Sequence, residues 1–257
     1  MFSMEEFSLS GQTALIIGGT GGIGREIARG YQTAGAKVIV AGRSHDKLKA
    51  MEQELGGGDG PPRAYEADVR AVDALATLAE RIECDHGGGV DILVNCQGTI
   101  AIKPATELTE SEYDAILDTN LKSVFFACTT FAQRMQPRGF GVIINITSLA
   151  AHSGWANGAA YGASKWGVAG ITQSFAAEWG AAGLRVNAIA PGFFLTDLNR
   201  EKMGENRKQE ARRRSAQQRM GELPELVGAA IFLASNSARF INGATLRVDG
   251  GYLVSGI

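Results

Sequence analysis

The chain has 257 residues, of which 45% are apolar and 20% charged, with a formal net charge of −2. These values are ordinary for a soluble globular protein and exclude a disordered chain. The near-neutral charge also argues against a general affinity for nucleic acids. No stretch approaches eighteen uninterrupted apolar residues, so we expect no membrane span.

The first residues and the cysteines favour a cytoplasmic location. The start, MFSMEEFSLSGQ, has acidic residues where a secretory signal needs positive charge, and it lacks a long apolar stretch. Cys84, Cys96 and Cys128 are odd in number and show no CxxC spacing. They are therefore expected to be reduced thiols rather than a disulfide framework.

Short β-branched runs alternate along the chain with longer segments of helical period, which predicts βαβ units. The predicted strands are residues 13–17, 37–41, 63–67, 91–95, 141–147, 184–189 and 244–248. The predicted helices are residues 22–34, 45–55, 72–86, 110–136, 159–180 and 224–234. Most of the strands are apolar without alternation, as in a parallel sheet covered on both faces. We predict one α/β domain, a doubly wound parallel sheet of about seven strands flanked by helices.

A glycine-rich turn, LIIGGTGGIG, joins the first predicted strand to the first predicted helix. It fits G-x-G-x-x-G at Gly19, Gly21 and Gly24, or G-x-x-x-G-x-G at Gly18, Gly22 and Gly24. In either register, glycine lets the backbone approach a phosphate held at the positive end of the helix. A plain connector is the alternative, but the position after a strand favours a dinucleotide.

The end of the second strand bears on the choice of dinucleotide. An acidic residue there would bind the ribose 2′-hydroxyl of NAD, but this chain has Gly42, Arg43 and Ser44. A guanidinium pairs with a 2′-phosphate, which a carboxylate would repel. NADP(H) is therefore favoured. NAD(H) stays open because Asp46 lies close by.

Tyr161 and Lys165, in AAYGASKWG, are four residues apart and share one face of a predicted helix. Such pairs occur by chance in many helices. The alternative is a phenol whose proton transfer is controlled by a nearby ammonium.

Several separated motifs decide between these interpretations, because in this order they resemble the short-chain dehydrogenase/reductase family from Leu9 to Gly251. The family's T-G-x-x-x-G-x-G corresponds to residues 17–24, which selects the register Gly18, Gly22 and Gly24. The other matches are Asp68-Val69, Asn120 in DTNLKSVFF, Ser148 in INITSLAA, Tyr161 and Lys165 as Y-x-x-x-K, Pro191, Gly192 and Thr196 as P-G-x-x-x-T, and VDGG at 248–251.

The resemblance implies one Rossmann-type NAD(P)-binding catalytic domain over residues 1–257, with a substrate flap at about 193–220. It also implies that Tyr161 is the proton donor for hydride transfer, and Tyr161 phenolate the base in the oxidation direction. Lys165 would lower the phenol pKa by two to three units, roughly 3 to 4 kcal/mol, and bind the nicotinamide ribose. Ser148 would donate to the substrate oxygen, and Asn120 would hold a water that links Lys165 to solvent.

The cofactor contacts implied by the resemblance, together with Arg43 and Ser44, surround the predicted glycine turn. They are Gly18, Thr20, Gly21, Gly22, Ile23, Gly24, Arg43, Ser44, Asp68, Val69, Asn95, Gly98, Tyr161, Lys165, Pro191, Gly192, Phe194 and Thr196. Two departures from the family pattern, Ile17 for Thr and Cys96-Gln97 for Asn-Ala, require rearranged polar contacts between adjacent strand ends. We expect Cys96 to be a small buried residue. The scattered histidines form no metal-ligand pattern, so no metal site is expected.

The substrate candidates are Ser148, His152, Trp155, Asn157 and Arg200. The first four offer polar groups and one flat apolar surface, suited to a small polyhydroxylated molecule. Residues 200–219 hold eight basic and three acidic residues, a net charge of +5. This segment is either a solvated helix face or a basic flap that attracts an anionic substrate.

PGFFLTDLNR and VDGGYLVSGI resemble the gluconate 5-dehydrogenase subgroup, which implies a sugar acid such as gluconate and its keto form. A 3-oxoacyl carrier-protein reductase is the alternative of the same chemistry. A dinucleotide-sensing protein without turnover is the alternative of another class, although it would not need Asn120, Ser148, Tyr161 and Lys165 together. The family resemblance also implies a homotetramer through its fourth and fifth helices. No nucleic-acid or membrane partner is expected, from the net charge and the lack of a long apolar stretch.

Overall fold

The computed structural model describes residues 3–56, 60–196 and 203–255. Seven parallel strands form one sheet in the order β3-β2-β1-β4-β5-β6-β7. They are β1 Thr13–Ile17, β2 Lys37–Gly42, β3 Ala64–Glu66, β4 Ile92–Asn95, β5 Gly141–Ile146, β6 Leu184–Pro191 and β7 Thr245–Val248. The prediction of a doubly wound parallel sheet is confirmed.

Helices cover both faces of this sheet. They are α1 Gly22–Thr33, α2 His45–Glu54, α3 Val72–His86, α4 Glu110–Leu117, α5 Ser123–Met135, α6 Ala159–Trp179, α7 Glu205–Arg214 and α8 Val227–Ala234. None of the helices in the described ranges is long and apolar enough to cross a bilayer.

Alternate residues of each strand pack into two separate cores. In β1, Leu15 and Ile17 contact the layer of α3, α5 and α6, whereas Ala14 and Ile16 contact the layer of α1, α2 and α8. Each fully buried aliphatic side chain of this kind stabilises the fold by about 1.5–3 kcal/mol. Burial on both faces explains why the strands are apolar without alternation.

The strand order reverses between β1 and β4, so the connections leave these neighbours in opposite directions. Their carboxyl ends therefore border a crevice, where open parallel sheets bind ligands. The glycine turn follows β1 and residues 96–99 follow β4, so both lie at this edge.

The single helix predicted over 110–136 is wrong. It begins at the predicted capping box of Thr109 and Glu112, but a π-helical turn, Asp118–Lys122, separates α4 from α5. Within that turn the amide of Ser123 donates to the carbonyl of Asp118. The widened turn contains Asn120, which is completely buried. Single π turns of this kind are frequent at functional sites.

Two further elements differ from the prediction. β6 continues two residues beyond the predicted 184–189, because Ala190 and Pro191 still pair with β7. The basic segment contains α7, which no predicted helix covers. Ala211 is the buried residue of this helix, so its basic side chains are left on the surface of the flap.

Candidate active site

The glycine turn places backbone without side chains at the start of α1. Gly18 has a φ of +79°, and a Cβ there would lie 2.9 Å from the backbone of Cys96. A Cβ on Gly24 would lie 2.4 Å from the Gly18 carbonyl oxygen, so the helix packs directly on the turn. Gly21 caps α1 without a side-chain hydrogen bond. An uncapped helix N-terminus beside bare backbone fits a dinucleotide diphosphate.

The loop after β6 reaches the same turn. A Cβ on Gly22 would lie 3.1 Å from the side chain of Thr196. Gly192 is equally confined, since a Cβ there would lie 2.7 Å from Cα of Asp249. The P-G-x-x-x-T motif and the glycine motif, which are far apart in the sequence, are therefore adjacent in the fold.

An acidic residue at the end of β2 would mark an NAD site. At Gly42 such a side chain would fit only if Thr20 shifted. A Cβ on Gly42 would lie 3.3 Å from the Thr20 hydroxyl oxygen. Arg43 and Ser44 are exposed beyond it. Asp68 is held by Arg70 at 2.5 Å, and this hydrogen bond keeps the pKa of Asp68 below its usual value, with a small contribution from Arg43. The Asp68 carboxylate is therefore already paired with Arg70, whereas Arg43 and Asp46 are both exposed at this surface.

The side chains of Asn95 and Gln97 belong to a buried polar cluster rather than to the open crevice. Asn95 donates to Asn145 at 2.9 Å, and Gln97 donates to Ser123 at 3.1 Å. The Gln97 amide oxygen has no hydrogen-bond partner in the described structure. The Gln97 side-chain nitrogen also donates to the Asn95 side-chain oxygen, at 3.4 Å. A ribose contact at Asn95 would have to come from its backbone.

Several other predicted cofactor residues also have committed side chains. Val69 packs in the core between the sheet and α3. Phe194 packs in the opposite core, and its backbone bridges to Gly221. Contacts from these two residues to a cofactor would likewise involve the main chain.

Asn120 connects the π turn to β4 and to α6. Its Oδ1 accepts from the Thr99 amide at 2.7 Å, and its Nδ2 donates to the Thr99 carbonyl at 2.9 Å. The same nitrogen donates to the Ser164 hydroxyl at 3.0 Å, and Ser164 in turn donates to the Tyr161 carbonyl at 2.7 Å. Thr99 and Ser164 were not predicted as site residues, although Ser164 lies between Tyr161 and Lys165 in the sequence.

Ser148, Tyr161 and Lys165 meet at the carboxyl end of β5. Ser148 lies two residues beyond the end of β5, caps a 3-10 turn and interacts with the Tyr161 hydroxyl. Lys165 is buried one helical turn after Tyr161 and donates to the carbonyl of Ile146 at 2.9 Å. Its Nζ lies 5.9 Å from the Tyr161 ring centroid. The four predicted catalytic residues are thus brought together.

Four aromatic rings, which we call the aromatic row, extend from this point toward the flap. Trp155 lies 6.3 Å from Tyr161 and stacks on Phe193 at 5.5 Å, and Phe193 lies 5.0 Å from Tyr252. The guanidinium of Arg207, on α7, lies 5.6 Å from the Trp155 ring centroid. Arg207 and Tyr252 were not predicted, because only the folded flap brings them to the site.

The remaining substrate candidates are more peripheral. Asn157 has a φ of +63° and its carbonyl accepts from Lys103 at 2.9 Å, which fixes the loop. His152 is exposed and lies 6.3 Å from the ring of Trp166. Arg200 lies outside the described residues.

The flap begins and ends at one place on the core. The Gly221 amide donates to the Phe193 carbonyl at 2.9 Å, and Phe194 bridges to Gly221. The residues between are therefore inserted between two adjacent backbone points.

Comparisons with known proteins agree with this geometry. A family model described as enoyl-(acyl carrier protein) reductase matches residues 18–253. The D-threitol dehydrogenase of Mycolicibacterium smegmatis is 36% identical over 249 residues, 97% of this chain and 95% of that protein. The gluconate 5-dehydrogenase of Gluconobacter oxydans is 36% identical over 250 residues, 97% of each chain. The chain belongs to the short-chain dehydrogenases/reductases.

A solved structure extends the similarity to three dimensions. A gluconate 5-dehydrogenase from Burkholderia cenocepacia, in complex with NADP and tartrate, is 34% identical, with a TM-score of 0.91. The similarity covers 98% of this chain and 99% of that one. As a member of this family the chain is an oxidoreductase that acts on alcohol and carbonyl groups.

The protonation of the short-chain dehydrogenase/reductase site differs from the sequence expectation. Burial raises the pKa of Tyr161 above its usual value, and the hydrogen bond with Ser148 only partly offsets this. The expected lowering of the phenol pKa by Lys165 is therefore wrong for the site that the chain itself builds. The Lys165 ammonium lies 5.9 Å from the centroid of the Tyr161 ring, and burial lowers the pKa of Lys165 itself to about 8.

Cys96 lies next to this lysine but is not a nucleophile. Burial raises the pKa of its thiol to about 12, so it stays protonated at neutral pH. Cys96 was predicted to be a small buried residue, and the structure leaves it partly buried.

We predict that Lys165→Met stabilises the protein while removing activity. Burial disfavours the ammonium, so the wild type loses up to about 3 kcal/mol of unfolding free energy at pH 7, where Lys165 is charged in both states. Between pH 8 and 10.5 the folded lysine releases its proton first, so wild-type stability rises with pH. The advantage of the variant should therefore shrink over that window.

Urea unfolding at pH 7 and pH 9.5, at fixed protein concentration, measures this difference. Lys47→Met, at an exposed lysine, is the control and should change stability little. A Lys165→Met protein that is less stable than wild type at pH 7 would contradict the prediction.

Proposed function

We propose that the chain catalyses the reversible NADP(H)-dependent oxidation of a secondary alcohol in a sugar acid or related polyol. The observation that carries this proposal is the convergence of Ser148, Tyr161 and Lys165 beside the glycine turn, at one end of the aromatic row. The similar proteins named for gluconate and threitol support the substrate class.

NADP(H), when bound, supplies the hydride acceptor or donor of this reaction. In the reducing direction Ser148 donates a hydrogen bond to the substrate carbonyl oxygen, and the Tyr161 hydroxyl gives its proton to that oxygen as negative charge develops. In the oxidising direction the Tyr161 phenolate takes the proton from the alcohol. A phenol whose pKa is raised by burial is protonated at neutral pH, as the proton donor of the reducing direction must be.

Asn120 supports this chemistry by positioning the residues around Tyr161 rather than by reacting itself. Its side-chain nitrogen already makes two hydrogen bonds, so a water that connects Lys165 to solvent falls to main-chain groups of the π turn. A Cβ on Gly98 would lie 3.6 Å from Asn120 Oδ1 and 3.7 Å from Lys165 Nζ, so Gly98 leaves the ammonium accessible to the ribose hydroxyls.

We further propose that the cofactor lies along the carboxyl edge of the sheet, with its diphosphate at the α1 N-terminus. The adenosine end would contact Thr20, Arg43, Ser44, Asp68 and Val69. The nicotinamide end would contact the main chain at residues 95–98 and the loop of residues 191–196, with Lys165 at the ribose. The structure supports this course by the close approach of Gly22 to Thr196.

Absorbance of the reduced nicotinamide, with D-gluconate and NADP⁺ or NAD⁺, is the first test. Turnover should occur with NADP⁺, and Tyr161→Phe should lower kcat at least 100-fold because the proton donor is lost. Binding of NADPH to that variant, followed by fluorescence, should stay within threefold. Turnover of an acetoacetyl thioester in place of every polyol would instead establish the 3-oxoacyl reductase alternative.

Arg43 should set the preference for NADP. Replacing Arg43 with Ser removes the guanidinium beyond Gly42, so kcat/KM for NADP⁺ should fall about 10- to 100-fold, with kcat/KM for NAD⁺ within threefold. Lys47→Ser, on the exposed face of α2, is the matched control. Equal losses with both cofactors would show that Arg43 has no role at the 2′-phosphate.

We also propose a homotetramer in the cytoplasm. Tyr113, Phe125 and Trp166 are 47%, 38% and 55% exposed on α4, α5 and α6, a set of large apolar side chains that a partner would cover. All three cysteines are free thiols, as predicted, which supports a reducing compartment.

Sedimentation equilibrium should give the mass of four chains for the wild type. A Phe125→Asp/Trp166→Asp variant should give a smaller mass, because two charges would be buried in the interface. Met4→Asp, at a side chain that is 73% exposed near the first residues, should not change the mass. A wild-type monomer would overturn the proposed assembly.

A further inference from the structure

The carboxylate of Asp68 receives all of its hydrogen bonds from one neighbour, Arg70. Its Oδ1 accepts from the Arg70 backbone amide at 3.2 Å and from Nε at 2.9 Å. Its Oδ2 accepts from Nε at 3.1 Å and from Nη2 at 2.5 Å. A carboxylate offers about four lone-pair sites. Arg70 therefore leaves Asp68 no free acceptor site for another group.

Asp68 lies where the base of the proposed cofactor would end. It follows β3, the edge strand beside β2, and the amide of Ala67 donates to the carbonyl of Gly42 at 2.8 Å. In a Rossmann-type fold the ribose that carries the base lies at the end of β2. Since the diphosphate is proposed at the α1 N-terminus, the base extends away from it, toward the end of β3. Asp68, Val69 and Arg70 lie there.

Three other carboxylates lie at or near this edge of the sheet. Asp46 lies in the first turn of α2, where a carboxylate stabilises the helix. Glu66 lies 3.4 Å from Nδ1 of His45. Asp118 lies 3.2 Å from Nζ of Lys122. Each of them therefore has a role that does not depend on the cofactor.

The groups that remain for a base at the end of β3 are hydrogen-bond donors. Among the described residues, none accepts from the amide of Val69 or from Nη1 of Arg70. The amino group of adenine is itself a donor. Hypoxanthine, the deaminated base, has a carbonyl oxygen in that place, which is an acceptor. A donor-only edge gives the adenine amino group no partner, and it accommodates the oxygen of hypoxanthine.

The pair of Asp68 and Arg70 is too well formed for the amino group to replace Arg70. The two side chains are 40% and 42% exposed, and exposed ion pairs are weak on average, but bidentate arginine–carboxylate pairs are the exception. A neutral N–H donor bonds a carboxylate more weakly than a guanidinium does. A base that covers the pair also shields it from water, which strengthens the attraction.

We propose that Arg70 removes the base from cofactor recognition, so that the enzyme uses the hypoxanthine analogue of NADP, deamino-NADP, as well as NADP itself. Arg70 determines this tolerance by occupying both oxygens of Asp68. Recognition of the dinucleotide then depends on its phosphates, at the α1 N-terminus and at Arg43. The tolerance rests on the proposed function and concerns the base, which that proposal leaves open.

Steady-state kinetics with NADP⁺ and deamino-NADP⁺, at a saturating alcohol substrate, test this tolerance. The wild-type kcat/KM values for the two cofactors should agree within threefold. Arg70→Ala frees Asp68 to accept from the amino group, so the ratio should rise to about tenfold in favour of NADP⁺. In the Asp68→Ala/Arg70→Ala variant the acceptor is gone, and the ratio should return to within threefold. A wild-type preference above threefold, or an unchanged ratio in Arg70→Ala, would overturn the proposal.

Arg138→Ala is the matched control. Arg138 also donates to a carboxylate, that of Asp91, at 2.7 Å, and its side chain is 36% exposed. Asp91 precedes β4 and Arg138 precedes β5, so this pair lies at the amino edge of the sheet, away from the crevice. The cofactor ratio of Arg138→Ala should equal that of the wild type. A rise as large as in Arg70→Ala would show that the effect does not come from Asp68.

Binding of the reduced cofactors separates failure of this tolerance from failure of the proposed function. Fluorescence titration with NADPH and deamino-NADPH needs no alcohol substrate. If the wild type turns over no polyol, the proposed function fails, and the ratio of the two dissociation constants decides the tolerance by the same threefold limit. If the wild type turns over a polyol but binds NADPH more than threefold more tightly, the tolerance alone is overturned. Binding of neither cofactor would overturn both.

Discussion

The hydrogen bonds of the Asn120 amide hold the active site together. This one buried side chain bonds both backbone groups of Thr99 and the hydroxyl of Ser164, so it ties the end of β4 to α6 through the π turn. Ser164 passes the connection to the Tyr161 carbonyl. Leaving a polar group this deeply buried without its hydrogen-bond partners costs about 1–3 kcal/mol of stability. The hydrogen bonds of Asn120 are therefore expected to form together. The position of the catalytic tyrosine depends on it.

Next to the Asn120 hydrogen bonds, the catalytic groups lower the stability of the fold. Lys165 brings a positive charge into the protein interior, where one backbone carbonyl is the partner that the structure gives it. The Tyr161 side chain is half-buried, and desolvation moves the pKa of its phenol upward. Desolvation thus acts on both groups in the direction that neutralises them, which leaves a neutral proton donor beside an ammonium that titrates near neutral pH. Strain of this electrostatic kind is typical of functional sites.

Regular features were predictable from the sequence, and local exceptions were not. Strand positions followed from apolar runs because burial on both faces leaves a direct trace in composition. The glycine turn and the Tyr161–Lys165 spacing were equally visible. The break in the helix at residues 118–122 was not, because a π turn has no distinct residue pattern and is stabilised here by Thr99, a distant partner. The raised pKa of Tyr161 also depends on burial, which spacing alone does not give.

The two ends of the flap meet where the Gly221 amide donates to the Phe193 carbonyl and Phe194 bridges to Gly221. Closing the flap into a loop costs conformational entropy, and this cost arises where its two ends are held together. The cost grows only slowly with the length of the inserted loop. Such a segment can gain, lose or replace residues in evolution while the sheet and the catalytic tyrosine stay unchanged.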